Sequence, residues 1–374
     1  MIKRISIRNF KSLRNVTTTL QPVTVLIGRS GGGKTNFVQA LRFLRDFLIH
    51  RENASNALGG WQSIICATAA SEGERLEFDV TFDVAGYASE FNFSLLFDIV
   101  RHGAGFRGER LTVGDRTLFA QEMGKWIQPP QIVNPPQAGQ LALGVLYGIL
   151  EIKVAHLALT KGIGCYDFPG TVLASPQGHG AGAALTDDAS NFLSAFDAIA
   201  NNLSGLANVK DILAGLRRLN KSISSADLVS DRSHIVVGHQ VANEKVLSFP
   251  LAQESEGFRR FFAHLLALYQ EPPKQVLVFE EPEKGIYPGA LAVLAEYFRA
   301  ATERGTQILL TTHSPELLKH FGPDEIRVVE MEKYDTTIGE IAPEQRAALT
   351  ERLLTTDELL TVDDARANPA LHSR

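Results

Sequence analysis

Residues 28–35 read Gly28-Arg29-Ser30-Gly31-Gly32-Gly33-Lys34-Thr35, which fits the pattern GxxxxGK[ST]. These residue types at this spacing suit one chemistry, the cradling of a nucleoside triphosphate. Glycines reach backbone angles at which successive N–H groups converge on phosphate oxygens. Lys34 carries a point charge to the β- and γ-phosphates, and Thr35 offers a hydroxyl to Mg²⁺. A second group of reactive types follows far downstream, in Val276-Leu277-Val278-Phe279-Glu280-Glu281-Pro282-Glu283. Four apolar residues ending in acids describe a buried parallel strand that delivers carboxylates to a site at its carboxyl end. Glu280 is placed to hold Mg²⁺, and Glu281 to orient a water attacking the γ-phosphate. A third strand pattern, Gln307–Thr311, exits through Thr312-His313-Ser314-Pro315. Taken alone, a histidine there reads as structural. Beside the other two motifs, His313 reads as a hydrogen-bond donor that senses the γ-phosphate.

The flanking residues supply the elements these groups need. Val23–Ile27 is a short β-branched run that predicts a buried strand. Phe37, Leu41, Leu44 and Leu48 recur at helical spacing after the loop, so the N-terminus of a helix faces the phosphates. Gln253-Glu254-Ser255-Glu256-Gly257-Phe258 opens an amphipathic helix whose stripe is Phe258, Phe261, Phe262, Leu265, Leu266 and Tyr269. Ser255 and Gly257 therefore stand at a helix N-terminus, which is locally a cap and also an anion site.

Elsewhere, Ile2–Phe10 predicts an edge strand. Leu76–Val84 and Phe91–Ile99 alternate as two antiparallel strands with one wet face. Gly114-Asp115 marks a hairpin. Leu141–Leu150 reads as a core helix too short to span a bilayer. Residues 127–140 and 170–186 read as loops. Ser190 to about Leu219 has helical periodicity, as in a lid or connecting arm, without the sustained heptads of a long coiled coil. Ser233–Val246 predicts a strand pair, and a loose tail begins near Ala365. No internal repeat is found.

The chain has 374 residues, enough for two domains or for one α/β domain with an insertion. Its composition, 44% hydrophobic and 21% charged, is that of a globular protein. A net charge of −5 gives no global case for nucleic-acid binding, though a local basic patch is compatible with it. Cys66 and Cys165 lack metal-ligand spacing and are too few for a disulfide framework. With a strand pattern starting at once and no secretory segment before it, a reducing cytoplasm and no membrane association are expected.

The order of motifs resembles the ABC-type ATPase heads of the RecF, SMC and OLD group, and above all the RecF-like or AAA-type bacterial ATPases. The stretches that carry the resemblance are Ile7-Arg8-Asn9-Phe10-Lys11-Ser12-Leu13, the phosphate loop continued by Asn36, and Ser255-Glu256-Gly257. Phe279-Glu280-Glu281-Pro282-Glu283-Lys284-Gly285-Ile286-Tyr287-Pro288, Thr311–Pro315 and Ser190-Asn191-Phe192 add to it. It covers about residues 1–100 and 225–345. It implies an α/β P-loop NTPase fold, an ABC-ATPase head with an antiparallel β lobe and an inserted helical arm. It divides the chain into an N-terminal ATPase lobe (1–100), an inserted β/helical lid or arm (101–225), a C-terminal ATPase lobe (226–345) and an extension (346–374).

The resemblance also implies a mechanism. Two heads pair in opposite orientations, with ATP and Mg²⁺ on Lys34, Thr35 and Glu280 of one and Ser255 and Gly257 of the other at the γ-phosphate. Glu281 activates water, His313 senses phosphate, and Glu283 and Lys284 lie in a loop crossing the dimer interface. A glutamine touches Mg²⁺ and water in such heads; Gln62 is the candidate, and it reads equally as a surface residue. Lys11 reads either as a phosphate neighbour or as a solvated lysine. Three features depart from the family. Ser30-Gly31-Gly32 replaces Asn-Gly-Ser or Asn-Gly-Ala, which is expected to loosen the loop. Ile286-Tyr287-Pro288 replaces Leu-His-Pro, and Glu254 precedes Ser255 where transporter heads have Leu.

The expected function is Mg²⁺-dependent ATP hydrolysis in an ATP-gated homodimer, acting in DNA repair, DNA maintenance or anti-phage defence. DNA and a separate nuclease or effector are the expected partners, because Asp363-Asp364 alone cannot make the acidic nuclease site of OLD relatives. The alternative is a regulatory or transporter-type nucleotide-binding subunit with little turnover. The wide separation of Lys34 from Glu280 weighs against a transporter. Paired acids with His313 weigh against a P-loop kinase, because they favour water as acceptor.

Overall fold

The computed structural model describes residues 1–69, 73–101, 103–132, 137–175, 182–202, 205–242, 245–362 and 364–368. The chain forms two units, Met1–Ile163 with Phe321–Arg374, and Gly164–His320.

The first unit opens with β1 (Ile2–Phe10), β2 (Leu13–Thr19) and β3 (Val23–Ile27), followed by α1 (Lys34–His50), α2 (Asn53–Ala57) and α3 (Trp61–Ile64). Then come β4 (Arg75–Phe82), β5 (Phe91–Val100), β6 (Gly103–Val113), β7 (Arg116–Glu122), β8 (Lys125–Gln128) and α4 (Leu150–Leu159). Seven of these strands form an antiparallel sheet in the order β2-β1-β4-β5-β6-β7-β8. One face of this sheet carries the phenylalanines at alternate positions. On it lies α1, with the Phe43 ring 5.7 Å from those of Phe10 and Phe78, and Phe47 4.7 Å from Phe97. Aromatic burial on this scale fixes the helix that follows the phosphate loop.

The second unit contains β9 (Ile163–Tyr166), α5 (Gly170–Ala174), α6 (Phe192–Ala200), α7 (Gly205–Leu219), β10 (Ile223–Leu228), β11 (Ile235–Gln240) and β12 (Val246–Pro250). It continues with α8 (Glu256–Tyr269), β13 (Val276–Glu280), α9 (Pro288–Glu303), β14 (Gln307–Thr311) and α10 (Pro315–Leu318). Strands β10-β11-β12 form a small antiparallel sheet, and β14-β13-β9 stand side by side. The parallel β13–β14 pair sets Glu280 opposite Thr311. On α8, Phe262 meets Phe192 at 5.0 Å and Phe196 at 5.5 Å, so the stretch expected as an arm packs on this helix through α6. The chain then returns to the first unit as β15 (Ile326–Glu332), β16 (Asp335–Gly339), α11 (Pro343–Thr350) and α12 (Glu358–Thr361). There β15 pairs in parallel with β3 and antiparallel with β16.

The strand, turn and helix patterns around the motifs appear where the sequence places them. Three readings are corrected. Strand β1 is interior, flanked by β2 and β4; the short β2 has no clear alternation because Arg14 and Asn15 interrupt it. Leu141–Leu150 is not a helix. Gly144 and Gly148 break it into turns, and α4 starts at Leu150 where the glycines end. Ser233–Val246, expected as a strand pair, holds β11 and only the first residue of β12, which runs on to Pro250; with β10 they form a three-stranded sheet. The division expected at residue 100 falls between paired strands β5 and β6, and that at 225 falls within β10. Parts of the expected loops, strand pair and tail (133–136, 176–181, 243–244 and 369–374) and Asp363 lie outside the described residues. Among the described residues no helix is long and apolar enough to cross a membrane.

Candidate nucleotide site

In the first unit, β3 is buried at every position and hands the chain directly to the glycine loop. Gly28 has φ +143°, and a Cβ there would lie 2.0 Å from the Val329 carbonyl oxygen of β15. Gly33, the residue before α1, has φ +106°, and a Cβ would lie 2.2 Å from the Thr336 hydroxyl of β16. Both ends of the loop therefore require glycine, for conformation and for space. Lys34 is buried, and its Nζ donates to the carbonyls of Gly28 (2.7 Å) and Arg29 (3.1 Å), arching back over the loop. Thr35 is exposed in the first turn of α1.

A relay of hydroxyls pins the loop from beneath. Asn36 Nδ2 donates to Ser12 Oγ (2.7 Å), Ser12 shares a hydrogen bond with Thr336 Oγ1 (2.7 Å), and Thr336 donates to the Gly32 carbonyl (3.1 Å). This support opposes the loosening expected from Ser30-Gly31-Gly32. Arg29 and Ser30 are exposed, and the Arg29 guanidinium pairs with exposed Asp364. Lys11 Nζ donates to Gln39 Oε1 of α1 at 2.5 Å, and burial holds its pKa below the usual lysine range. Gln62 is exposed on α3.

In the second unit, β13 ends at half-buried Glu280. Glu281 follows in the left-handed region, with φ +43°. A non-glycine residue there is strained and is held by its surroundings. Its N–H donates to both the carbonyl (3.0 Å) and the hydroxyl (3.1 Å) of Thr311 at the end of β14. Its carboxylate meets Lys284 Nζ at 3.0 Å, a contact that raises the lysine pKa. Glu283 turns inward instead of outward. Its Oε1 accepts from Thr312 Oγ1 (2.7 Å) and from the His313 N–H (3.0 Å). Burial raises its pKa above the usual carboxylate range. The unit thus brings Glu280, Glu281 and His313 to the carboxyl ends of two neighbouring strands.

Ser255 caps α8, its Oγ accepting from the Phe258 N–H at 3.2 Å, and it is exposed. Glu254 Oε1 meets Nε2 of His239 on β11 at 2.8 Å, which explains an acid where transporter heads have leucine. A Cβ on Gly257 would lie 2.4 Å from the Gly285 carbonyl oxygen, so the start of α8 packs on the loop after the acids. Sequence reasoning missed Thr336, which no local pattern ties to the loop. It also missed the inward role of Glu283, which depends on Thr312 beyond the end of β14.

The chain is similar to several known proteins. A family model described as "AAA ATPase domain" matches residues 1–91. A second, whose description begins "AAA domain" and names AbiEii toxin and a Type IV TA system, matches residues 177–319. The DNA replication and repair protein RecF of Rhodococcus erythropolis is 32% identical over 83 residues, which are 21% of this chain and about a fifth (20%) of that protein. Among solved structures, an SMC head bound to the C-terminal winged-helix domain of ScpA is similar, with a TM-score of 0.61 and 14% identity over 92% of this chain and 99% of that one. An SMC head with an extended coiled coil bound to the C-terminal domain of ScpA, from Pyrococcus furiosus, gives 0.54 and 12% over 94% and 99%. At those identities the likeness is one of fold.

Proposed function

We propose that this chain is a RecF- and SMC-like ABC-type ATPase whose Mg²⁺-dependent ATP hydrolysis gates pairing of two copies. The observation that carries this reading is the phosphate loop, with glycine enforced at both ends and Lys34 arched over it at the N-terminus of α1. Its backbone N–H groups and the helix end bind the triphosphate. Lys34 exchanges the loop carbonyls for phosphate oxygens. Thr35 and Glu280 would hold Mg²⁺; a hydroxyl and a carboxylate are the hard oxygen donors that this ion takes beside substrate phosphates. When bound, the ion would neutralise charge on the triphosphate.

Glu281 orients and deprotonates the attacking water, and His313 donates to the γ-phosphate. Exposed Ser255 and the first N–H groups of α8, including that of Gly257, reach the γ-phosphate held by the partner copy. ATP then favours the pair, and hydrolysis removes the contact that favoured it. Gln62 is proposed as the residue that contacts Mg²⁺ and water. DNA repair, DNA maintenance or phage defence is the setting that suits a RecF relative, with DNA and a separate nuclease or effector as partners. The SMC heads bound to ScpA domains make a separate protein partner a reasonable expectation.

The test is Glu281→Gln. ATP should double its mass on size exclusion while turnover falls about 100-fold or more. Wild-type turnover in this variant, or a monomer in saturating ATP, refutes the assignment. Turnover measured with and without double-stranded DNA at stated salt tests the partner.

A further inference from the structure

Two strand ends in the second unit are stitched together by hydrogen bonds that the hydrolysis scheme does not use. The Glu281 N–H bonds twice to Thr311. One residue further along β14's exit, Thr312 is fully buried, and its hydroxyl both donates to Glu283 Oε1 and accepts from the Ser314 N–H at 2.9 Å. The same Glu283 oxygen takes the His313 N–H. Among the described residues, Glu283 Oε2 is buried and has no hydrogen-bond partner. Both bonds therefore fall on one oxygen, and neither needs a negative charge. The segment that carries Glu283 continues through Gly285, whose carbonyl packs against Gly257 at the start of α8.

We propose that Glu283 is a positioning residue for hydrolysis: it fixes the turn that presents His313 and ties that turn to the segment packed on the start of α8. This deepens the function proposed above and rests on it. The role differs from that of an interface-crossing acid, because the side chain is spent on its own unit. It differs from an acid–base role too, since a single acceptor oxygen suffices. Supporting this, burial raises the Glu283 pKa, which favours the neutral form that glutamine mimics.

The experiment compares wild type, Glu283→Ala, Glu283→Gln and Thr312→Val for kcat and for the Kd of Mg²⁺–ATP by calorimetry. The alanine variant should lose at least about tenfold in kcat with Kd within about twofold, because a displaced catalytic group costs rate more than binding. The glutamine variant should stay within about threefold of wild type. Thr312→Val, which removes one of the two bonds, should lose several-fold, and adding Glu283→Ala to it should cost less than the product of the single losses. Full turnover in Glu283→Ala, or Glu283→Gln as inactive as the alanine variant, overturns the proposal. Should the alanine variant fail to fold, the glutamine and valine variants decide: valine at the wild-type rate, or glutamine inactive, overturns it. Absence of hydrolysis in wild type refutes the ATPase reading instead, so the two failures are distinguishable.

Discussion

At the scale of the residue, the chain commits individual side chains to contacts that nucleotide would exchange. Lys34 is held by two loop carbonyls, so binding replaces one set of oxygens with a more charged one and the ammonium never has to be buried without partners. Removing it should therefore cost affinity far more than stability. In Lys34→Ala, Mg²⁺–ATP affinity by calorimetry should fall at least about 100-fold, since a charge-assisted contact to phosphate is lost at a site built around it. Unchanged affinity would mean that the loop does not bind phosphate. Glu281 tells a related story through its backbone. Its φ of +43° is sustained by a pair of hydrogen bonds from its N–H to Thr311.

At the scale of the element, the phosphate loop is shaped by strands distant in sequence. Gly31 and Gly33 both have positive φ, yet a Cβ on Gly31 meets open space while one on Gly33 collides with Thr336 of β16. Alanine at either position carries backbone strain of about 1 kcal/mol. Gly33→Ala must also displace the hydroxyl that supports Gly32, for a total of about 2–4 kcal/mol. Thermal or urea unfolding of the two variants should rank Gly33→Ala well below Gly31→Ala, and only the former should weaken nucleotide binding about tenfold or more. Equal stabilities would sink the clash argument. This contrast also marks what could be read in advance. The strand before the loop, helix α1, the capped start of α8 and the acids ending β13 were legible because each is a local pattern with its own period or cap. The relay from Asn36 through Ser12 to Thr336 was not, since it joins residues that share no periodicity and meet only once β16 lies beside β15. Nor was the break at Gly144 and Gly148, because the apolar run around them reads as one element. The inward turn of Glu283 depends on Thr312, a residue whose type alone says little.

At the scale of the whole molecule, two buried titratable groups oppose each other as pH changes. Glu109 of β6 is almost fully buried among the N–H groups of Ala142 and Leu143 and the Gln121 amide, and burial pushes its pKa up to about 7. His264 of α8 lies against the Phe168, Phe279 and Phe298 rings, and burial pushes its pKa down to about 4. The folded glutamate keeps a proton that the unfolded chain releases near 4.5, so its contribution is full below about 4.5 and is lost as pH rises to about 7. The histidine works the other way: the unfolded chain takes a proton below about 6.5, so its contribution is full above that and is lost as pH falls to about 4. Between about 4.5 and 6.5 the slopes oppose, each up to about 1.4 kcal/mol per pH unit. Glu109→Gln removes one of them. Its melting temperature should climb with pH across that window, where the wild-type curve stays nearly flat. Between about 6.5 and 7 the wild-type curve should decline while that of the variant levels off. Parallel curves for the two proteins from pH 4.5 to 7 would mean that Glu109 carries no proton in the folded state there.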